Sequence, residues 1–164
     1  MLAIVPALFV GGCLQDNTER TSSTEPPRSS TGPTLNGQVF DWVLGNIGDT
    51  FPAANEASVT VHGLDTSVKL KDGTEVAAAD VEACAGGQQV GVVRQVFLLE
   101  VQGQQVRSTR DVEGMLKDNL ESQLLEPQRC ARGWVAFELQ AADEPVAVLL
   151  VSSSHIRWVH RPVR

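Results

Sequence analysis

Residues 133–139 read Gly-Trp-Val-Ala-Phe-Glu-Leu, and the alternation within this stretch decides the fold class. Val135, Phe137 and Leu139 share one parity, so an extended chain turns these three apolar side chains to the same face. Aromatic and β-branched residues at a period of two are typical of a half-buried strand. The stretch therefore predicts a strand with one face against a core.

Further strands are predicted on both sides of this stretch. Residues 57–62 alternate in the same way, and residues 68–76 carry Asp72-Gly73 at their centre, a pair suited to a tight hairpin turn. Residues 92–101 are apolar on both parities, which indicates a central strand covered on both faces. Shorter strands are expected over residues 80–84, 146–151 and 156–160. About seven short strands separated by Gly, Pro and Asp predict an all-β sandwich. Its predicted core contains Phe97, Leu99, Val135, Phe137 and Leu139.

Residues 115–125 do not fit this pattern. Leu116, Leu120 and Leu124 recur every four residues, as in a short amphipathic helix. The flanking residues suit a helix poorly, and an ordered loop with one helical turn fits equally well. We assign no site to this segment.

The N-terminal residues carry a signal for export. Residues 2–10 form an almost unbroken apolar run that ends in small residues, as a secretory signal does. The run is too short to span a bilayer as a mature helix. The segment Val10-Gly11-Gly12-Cys13 resembles the lipobox of bacterial lipoproteins, in which the cysteine becomes diacylated and N-terminal. The resemblance implies a signal peptide over residues 1–12 and a diacylglycerol and palmitate anchor on Cys13, at the extracytoplasmic face of the cell membrane.

The first basic residue is Arg20, whereas a signal peptide opens with lysine or arginine. A start codon assigned too far downstream explains the difference, and the alternative is a chance apolar N-terminus with an ordinary buried cysteine. Residues 13–36 are rich in Ser, Thr and Pro and are predicted to form a disordered tether, because they cannot bury enough apolar surface to offset the entropy of ordering. Residues 37–164 are enough for one domain.

The formal net charge of −7 argues against binding to nucleic acid, which requires a basic face. The basic residues that cluster at the C-terminus are His155, Arg157, His160, Arg161 and Arg164. Such a cluster is more often a frayed tail than a binding patch, and it would touch anionic lipid head groups only weakly.

Cys84 and Cys130 both lie out of phase with the apolar residues of their strands. Both are therefore expected off the main core face, where adjacent strands could bring their sulfur atoms together. In an exported protein such a pair favours a disulfide, which would stabilise the fold by about 3–4 kcal/mol. The alternative is two independent buried thiols.

Four segments resemble an immunoglobulin-like domain family of unknown function, found in secreted and lipid-anchored proteins of Gram-positive bacteria, especially actinobacteria. They are residues 48–51, 59–61, 81–86 and 125–138, within a likeness that covers nearly all of residues 45–158. In this family Pro-Gly often precedes the last strand, whereas here Gln128 follows Pro127, so a turn of another type is expected. The resemblance implies an immunoglobulin-like sandwich, export and a Cys84–Cys130 bridge, and it transfers no catalytic residues.

Catalytic and metal-binding patterns are lacking in the sequence. His155 and His160 lie five residues apart and would point to opposite faces of a strand, so they cannot share a metal. Ser152-Ser153-Ser154-His155 lacks the Gly-x-Ser-x-Gly setting of a nucleophile. Three carboxylates could form a calcium or acid/base site only if folding gathers them: Glu100, Asp111 and Glu113. We therefore expect neither enzyme activity, nor a metal, nor a cofactor.

The expected function is that of a lipid-anchored extracytoplasmic binding or interaction module. Its partners are the membrane, through the diacylglycerol, and an extracellular protein or cell-wall component that the sequence does not identify. We expect a monomer with an exposed apolar or aromatic patch near Trp42, Trp134 or Trp158. The alternatives are a small-ligand carrier, which needs an apolar cavity, and an accessory envelope enzyme.

Overall fold

The computed structural model describes residues 29–31, 40–70, 73–109, 118–140 and 143–161, and strands account for most of them. Two 3₁₀ turns, Ala54–Glu56 and Arg94–Val96, are the helical elements within these ranges. The strands are β1 Ser29–Thr31, β2 Asp41–Asn46, β3 Thr50–Pro52, β4 Ser58–Lys69, β5 Glu75–Cys84, β6 Val90–Val92, β7 Phe97–Val101, β8 Gln104–Arg107, β9 Gln123–Leu125, β10 Cys130–Glu138, β11 Pro145–Val151 and β12 His155–Val159. No helix in the described ranges is long and apolar enough to cross a membrane.

The strands form two sheets and a ribbon. The larger sheet has the order β1-β2-β12-β11-β7-β8, and the smaller one has the order β10-β5-β4-β3. The ribbon pairs β6 with β9. Neighbouring strands are antiparallel except β12 and β2, which run parallel. The predicted all-β sandwich is confirmed. The strands that the sequence did not predict are the six-residue β2 and several strands of three or four residues, which are too short to show alternation.

The main core lies between the two sheets. The smaller sheet contributes Val135 and Phe137, and the larger sheet contributes Phe97 and Leu99, all of which are buried as predicted. Leu139 lies just past the end of β10 and packs against the core while only partly buried. Replacing one of these core side chains by a smaller one would leave a cavity, because the surrounding strands are fixed by their pairing.

The central strand β7 is covered on both faces, as its double-parity pattern predicted. Leu99 points into the main core, whereas Leu98 belongs to a second buried cluster on the outer face of the larger sheet. Trp42, Ala147 and Leu149 complete that second cluster. The predicted single strand over residues 92–101 is wrong, however, because a 3₁₀ turn at Arg94–Val96 separates β6 from β7. An apolar run does not reveal where a chain passes from one sheet to another.

The predicted hairpin joins β4 to β5. Among the described residues between the two strands, Gly73 has a φ of 88°, and the Leu70 N–H donates to the Thr74 carbonyl at 2.9 Å. Asp72 lies outside the described residues. The predicted strand over residues 57–62 is the first part of the longer β4, which continues past a bulge between Val61 and Gly63.

The second turn of interest precedes β10. The Arg129 N–H donates to the Glu126 carbonyl at 3.1 Å, and Gln128 has a φ of 61°. A positive φ at the third residue, after proline, is the requirement of a type II turn. The expectation of another turn type was therefore wrong, since glutamine here takes the left-handed conformation that glycine favours.

Several predictions concern segments that the structure describes only in part or not at all. Within the segment 115–125, residues 118–122 are irregular and Gln123–Leu125 form β9, so the helix does not occur in its described part. Ser29–Thr31, which fall in the predicted tether, pair with β2. The signal peptide, Cys13 and the remainder of the tether lie outside the described residues.

Candidate functional site

A cavity of about 240 Å³ opens at one end of the sandwich, where the β6–β9 ribbon meets both sheets. We call it the end pocket. Its wall combines Val59 of β4 and Ala83 of β5 with Phe97 of β7 and Leu150 of β11. Side chains of the ribbon, the loop before β4 and the β11–β12 turn complete the lining: Ala53, Ala54, Asn55, Ala57, Cys84, Val90, Gly91, Val92, Val93, Val96, Leu125, Ser152 and Ser153. The lining is therefore mainly aliphatic and contains no ionisable side chain, since Cys84 is bridged.

An exposed apolar side chain stands at the mouth of the end pocket. Val93 lines the pocket and is 45% exposed. It directly follows β6, whose three residues are all paired within the ribbon. Leu124, on the other strand of the ribbon, is 61% exposed. Two large apolar side chains exposed on one small element form a surface that a binding partner could cover.

The loop that forms one side of the mouth has an unusual backbone. Asn55 and Glu56 both adopt the left-handed conformation, with φ values of 56° and 59°. Asparagine tolerates this conformation, whereas glutamate adopts it much less often. The loop is closed by a hydrogen bond of 2.7 Å from the Ala53 N–H to the Ala57 carbonyl. Consecutive left-handed residues of this kind occur preferentially at functional sites.

Neighbouring loops hold this backbone in place. A Cβ atom on Gly86 would lie 2.4 Å from the Glu56 carbonyl oxygen, so only glycine permits the contact. The Gly86 carbonyl accepts a hydrogen bond of 2.9 Å from the Gln128 N–H. The Gln89 side chain donates to Glu126 at 2.7 Å. Three loops are thus fastened to one another, and the one that contains Asn55 lines the mouth.

Cys84 and Cys130 form a disulfide beside the pocket, as the resemblance implied. The two cysteines are directly opposite each other in the register of β5 and β10. Cys84 is half-buried and Cys130 is exposed, consistent with the outward parity expected from the sequence. The Glu82 carboxylate lies within 4.8 Å of both sulfur atoms, but bridged sulfurs offer no thiolate to a metal.

The outer face of the smaller sheet carries two further polar pairs. His62 Nε2 lies 2.9 Å from the Glu82 carboxylate. Arg132 donates two hydrogen bonds to Asp80, at 3.0 and 2.6 Å, and these bonds raise the pKa of the Arg132 guanidinium above its ordinary value. Both pairs are solvent-accessible and link neighbouring strands, which is an ordinary role for charges on a sheet surface.

The C-terminal basic cluster is not a continuous patch. Arg157 donates to Glu100 at 2.7 and 3.2 Å, so its charge is neutralised by a buried carboxylate. The ring of His155 stacks on Phe40 with a centroid distance of 4.2 Å. Arg164 lies outside the described residues, as do Asp111 and Glu113, which could have completed a carboxylate site with Glu100.

The predicted aromatic patch does not form around Trp42 or Trp158, because both side chains are fully buried. Trp158 Nε1 donates to the Asp49 carbonyl at 2.9 Å, which satisfies its polar atom inside the core. Trp134 is half-buried.

The end pocket was not predicted from the sequence. The residues near Val92 are apolar on both parities, which predicted a buried strand, and this pattern does not distinguish a buried strand from a pocket wall.

Ser152 and His155 contact different residues, because Ser152 bonds to Ser154 whereas His155 stacks on Phe40. The Ser154 N–H donates to Ser152 Oγ at 3.3 Å within the β11–β12 turn. Ser153 lines the end pocket, where its hydroxyl adds a polar group to an otherwise aliphatic wall. The serine-rich turn thus closes one side of the pocket.

Comparison with known proteins identifies similar folds. MPT63, a secreted protein from Mycobacterium tuberculosis, aligns with a TM-score of 0.61 at 14% identity, over 73% of this chain and 98% of that chain. A second structure, of the candidate lipoprotein YcdA from Bacillus subtilis, aligns with a TM-score of 0.49 at 13% identity, over 67% of this chain and 34% of that chain. No protein-family model matches the chain, and no curated protein matches it. The likeness to MPT63 supports the sandwich fold.

Proposed function

We propose that this protein is a lipid-anchored extracytoplasmic binding module without catalytic activity, and that the end pocket is its binding site. The observation that carries the proposal is the aliphatic pocket with exposed Val93 at its mouth. Apolar cavities with a few polar groups at the entrance are typical of ligand sites. The mouth also holds the left-handed pair Asn55 and Glu56, a second mark of a functional region.

The proposed location follows from the N-terminal segment. The lipobox-like residues that end in Cys13 would place the domain outside the membrane, held by acyl chains. MPT63, which shares the sandwich fold, is a secreted protein. An external location also suits the Cys84–Cys130 disulfide, since such bonds persist in oxidising compartments.

Burial of Trp42 and Trp158 changes where a partner would bind. Among the described residues, the large apolar side chains with notable exposure are Val93, Leu124 and Val146. Two of these three lie on or beside the β6–β9 ribbon, next to the pocket. The interaction surface that was expected near the tryptophans is therefore assigned to the ribbon end.

Photo-crosslinking in intact cells tests this function. A benzophenone amino acid is placed at Val93 in one variant and at Val146 in a control variant, since both valines are exposed but only Val93 lines the pocket. We expect a discrete adduct from position 93 that is absent from position 146. An identical adduct pattern at both positions, or no adduct at either, would contradict the assignment of the binding site.

A small-ligand carrier is the second candidate function, and the cavity of about 240 Å³ favours it. The two candidates share the same site and differ in the adduct at position 93. A protein adduct supports the interaction module, whereas an adduct of a few hundred daltons or less supports the carrier. Mass spectrometry of the crosslinked protein distinguishes them.

A further inference from the structure

We propose that the end pocket binds one alkyl chain, of about eight to ten carbons, from an amphiphile with an uncharged head group. This inference rests on the proposed function, because it takes the end pocket as the binding site and specifies its ligand. Three properties of the pocket lead to this class of ligand: the chemistry of its wall, its volume, and the charges at its mouth.

The wall excludes a charged group from the interior of the pocket. Most of its side chains are aliphatic or aromatic, such as Val59, Phe97 and Leu150. Its polar side chains are the neutral Asn55, Ser152 and Ser153, and none is ionisable. An ion moved from water into such surroundings loses its hydration without gaining a partner. The buried part of the ligand is therefore a hydrocarbon.

The volume limits the length of that hydrocarbon. A dry apolar cavity of about 150 Å³ holds benzene, with its six non-hydrogen atoms. The end pocket, at about 240 Å³, scales to about ten such atoms. It is smaller than the 300–1,000 Å³ of sites that enclose a whole drug-sized ligand. It therefore takes the end of one chain, and the head group stays outside.

The mouth determines the type of head group. Asn55 and Ser153 line the entrance with an amide and a hydroxyl, which are neutral donors and acceptors. The charged residues that follow lining residues in the chain are already engaged. Glu56 accepts a hydrogen bond from the Gly87 N–H at 3.4 Å, and Glu126 accepts one from Gln89 at 2.7 Å. Arg94, which follows Val93, is buried. All three charged groups are held by contacts within the protein, so the neutral amide and hydroxyl are the groups that the entrance offers to a ligand. A head group of hydroxyls, such as a sugar, fits the entrance best.

Isothermal titration with alkyl maltosides below their micelle concentration tests the proposal. The protein is the full chain carrying Cys13→Ser, so that no acyl chain of its own can compete. Affinity should rise about fourfold for each added methylene, because each buried CH₂ contributes a constant increment. The rise should stop at about nine or ten carbons, where the cavity is full. Fatty acids of equal chain length should bind more weakly, since their carboxylate loses solvation at the mouth.

Two variants identify the site of binding. Ala54→Phe adds a ring at the pocket wall and should shorten the chain length at which affinity stops rising, or abolish binding. Val93→Asp changes only the exposed mouth, so it keeps the test valid if Ala54→Phe does not fold. Val146→Asp, at an exposed valine outside the pocket lining, is the matched control and should bind as the wild type does.

Affinity that does not depend on chain length, or that is unchanged in both pocket variants, overturns the proposal. A rise that continues unchanged to fourteen carbons does so as well, because about ten fill the cavity. If maltosides fail to bind while position 93 still crosslinks to a partner, the inference fails and the proposed binding site stands. If both experiments are negative, the proposed function fails too.

Discussion

Arg157 and Glu100 form an ion pair whose energetics can be tested by a double-mutant cycle. Glu100 lies on β7 and Arg157 on β12, with β11 between them, and the guanidinium reaches the carboxylate at 2.7 and 3.2 Å. Glu100 is 7% exposed, and the side chain of Arg157 is 22% exposed. In β11, Ala147 is paired with Glu100. Its small side chain leaves room for the arginine to cross the strand.

Replacement of Arg157 by methionine keeps much of the aliphatic stem but leaves Glu100 buried without its charged partner. Breaking a buried ion pair in this way costs roughly 3–5 kcal/mol. We expect about 3 kcal/mol here, at the lower end, because water reaches part of the Arg157 side chain. The double variant Glu100→Leu, Arg157→Met removes both charges and should stay within about 1 kcal/mol of the wild type.

Urea unfolding at neutral pH, followed by circular dichroism, measures the four free energies of the cycle. The exposed pair of Asp80 and Arg132 provides a control, and Asp80→Asn should leave the unfolding midpoint close to that of the wild type. The reasoning is refuted if Arg157→Met costs less than about 1 kcal/mol. It is also refuted if the double variant is as unstable as Arg157→Met, since the loss would then not come from an unpaired carboxylate.

Three further predictions concern the core, the bridge and the anchor. Phe137→Ala should cost about 3–5 kcal/mol in the same unfolding assay, because its ring is fully buried, and a loss below about 1 kcal/mol would contradict that burial. Mass spectrometry without reductant should find one linked peptide pair containing Cys84 and Cys130, and two freely alkylated thiols would disprove the bridge. Replacing both cysteines with alanine should cost about 4 kcal/mol for the 46-residue separation. A fatty-acid probe should label the wild type but not Cys13→Ala, with a basic n-region restored to both, and equal labelling would exclude the anchor.

Alternation along the chain predicted the sheets, because a strand turns successive side chains to opposite faces whatever its partners are. The same parity argument placed Cys84 and Cys130 outside the core. Their direct opposition depends on the register between β5 and β10, which is a non-local property. The charged character of Arg157 indicated a surface residue, and only the order of β7, β11 and β12 brings it to a buried carboxylate.

The end pocket could not be predicted from the sequence, because its wall is assembled from segments between residues 53 and 153 that are far apart in the chain. Each segment by itself looks like part of a core or a turn. Burial of Trp42 and Trp158 was missed for the same reason, since hydrophobic character does not specify which side chain another sheet will cover. Local periodicity thus determined most of the strands and the outward position of the cysteines. The tertiary structure decided the cavity and the ion pair, because each requires contacts whose geometry depends on how the sheets pack.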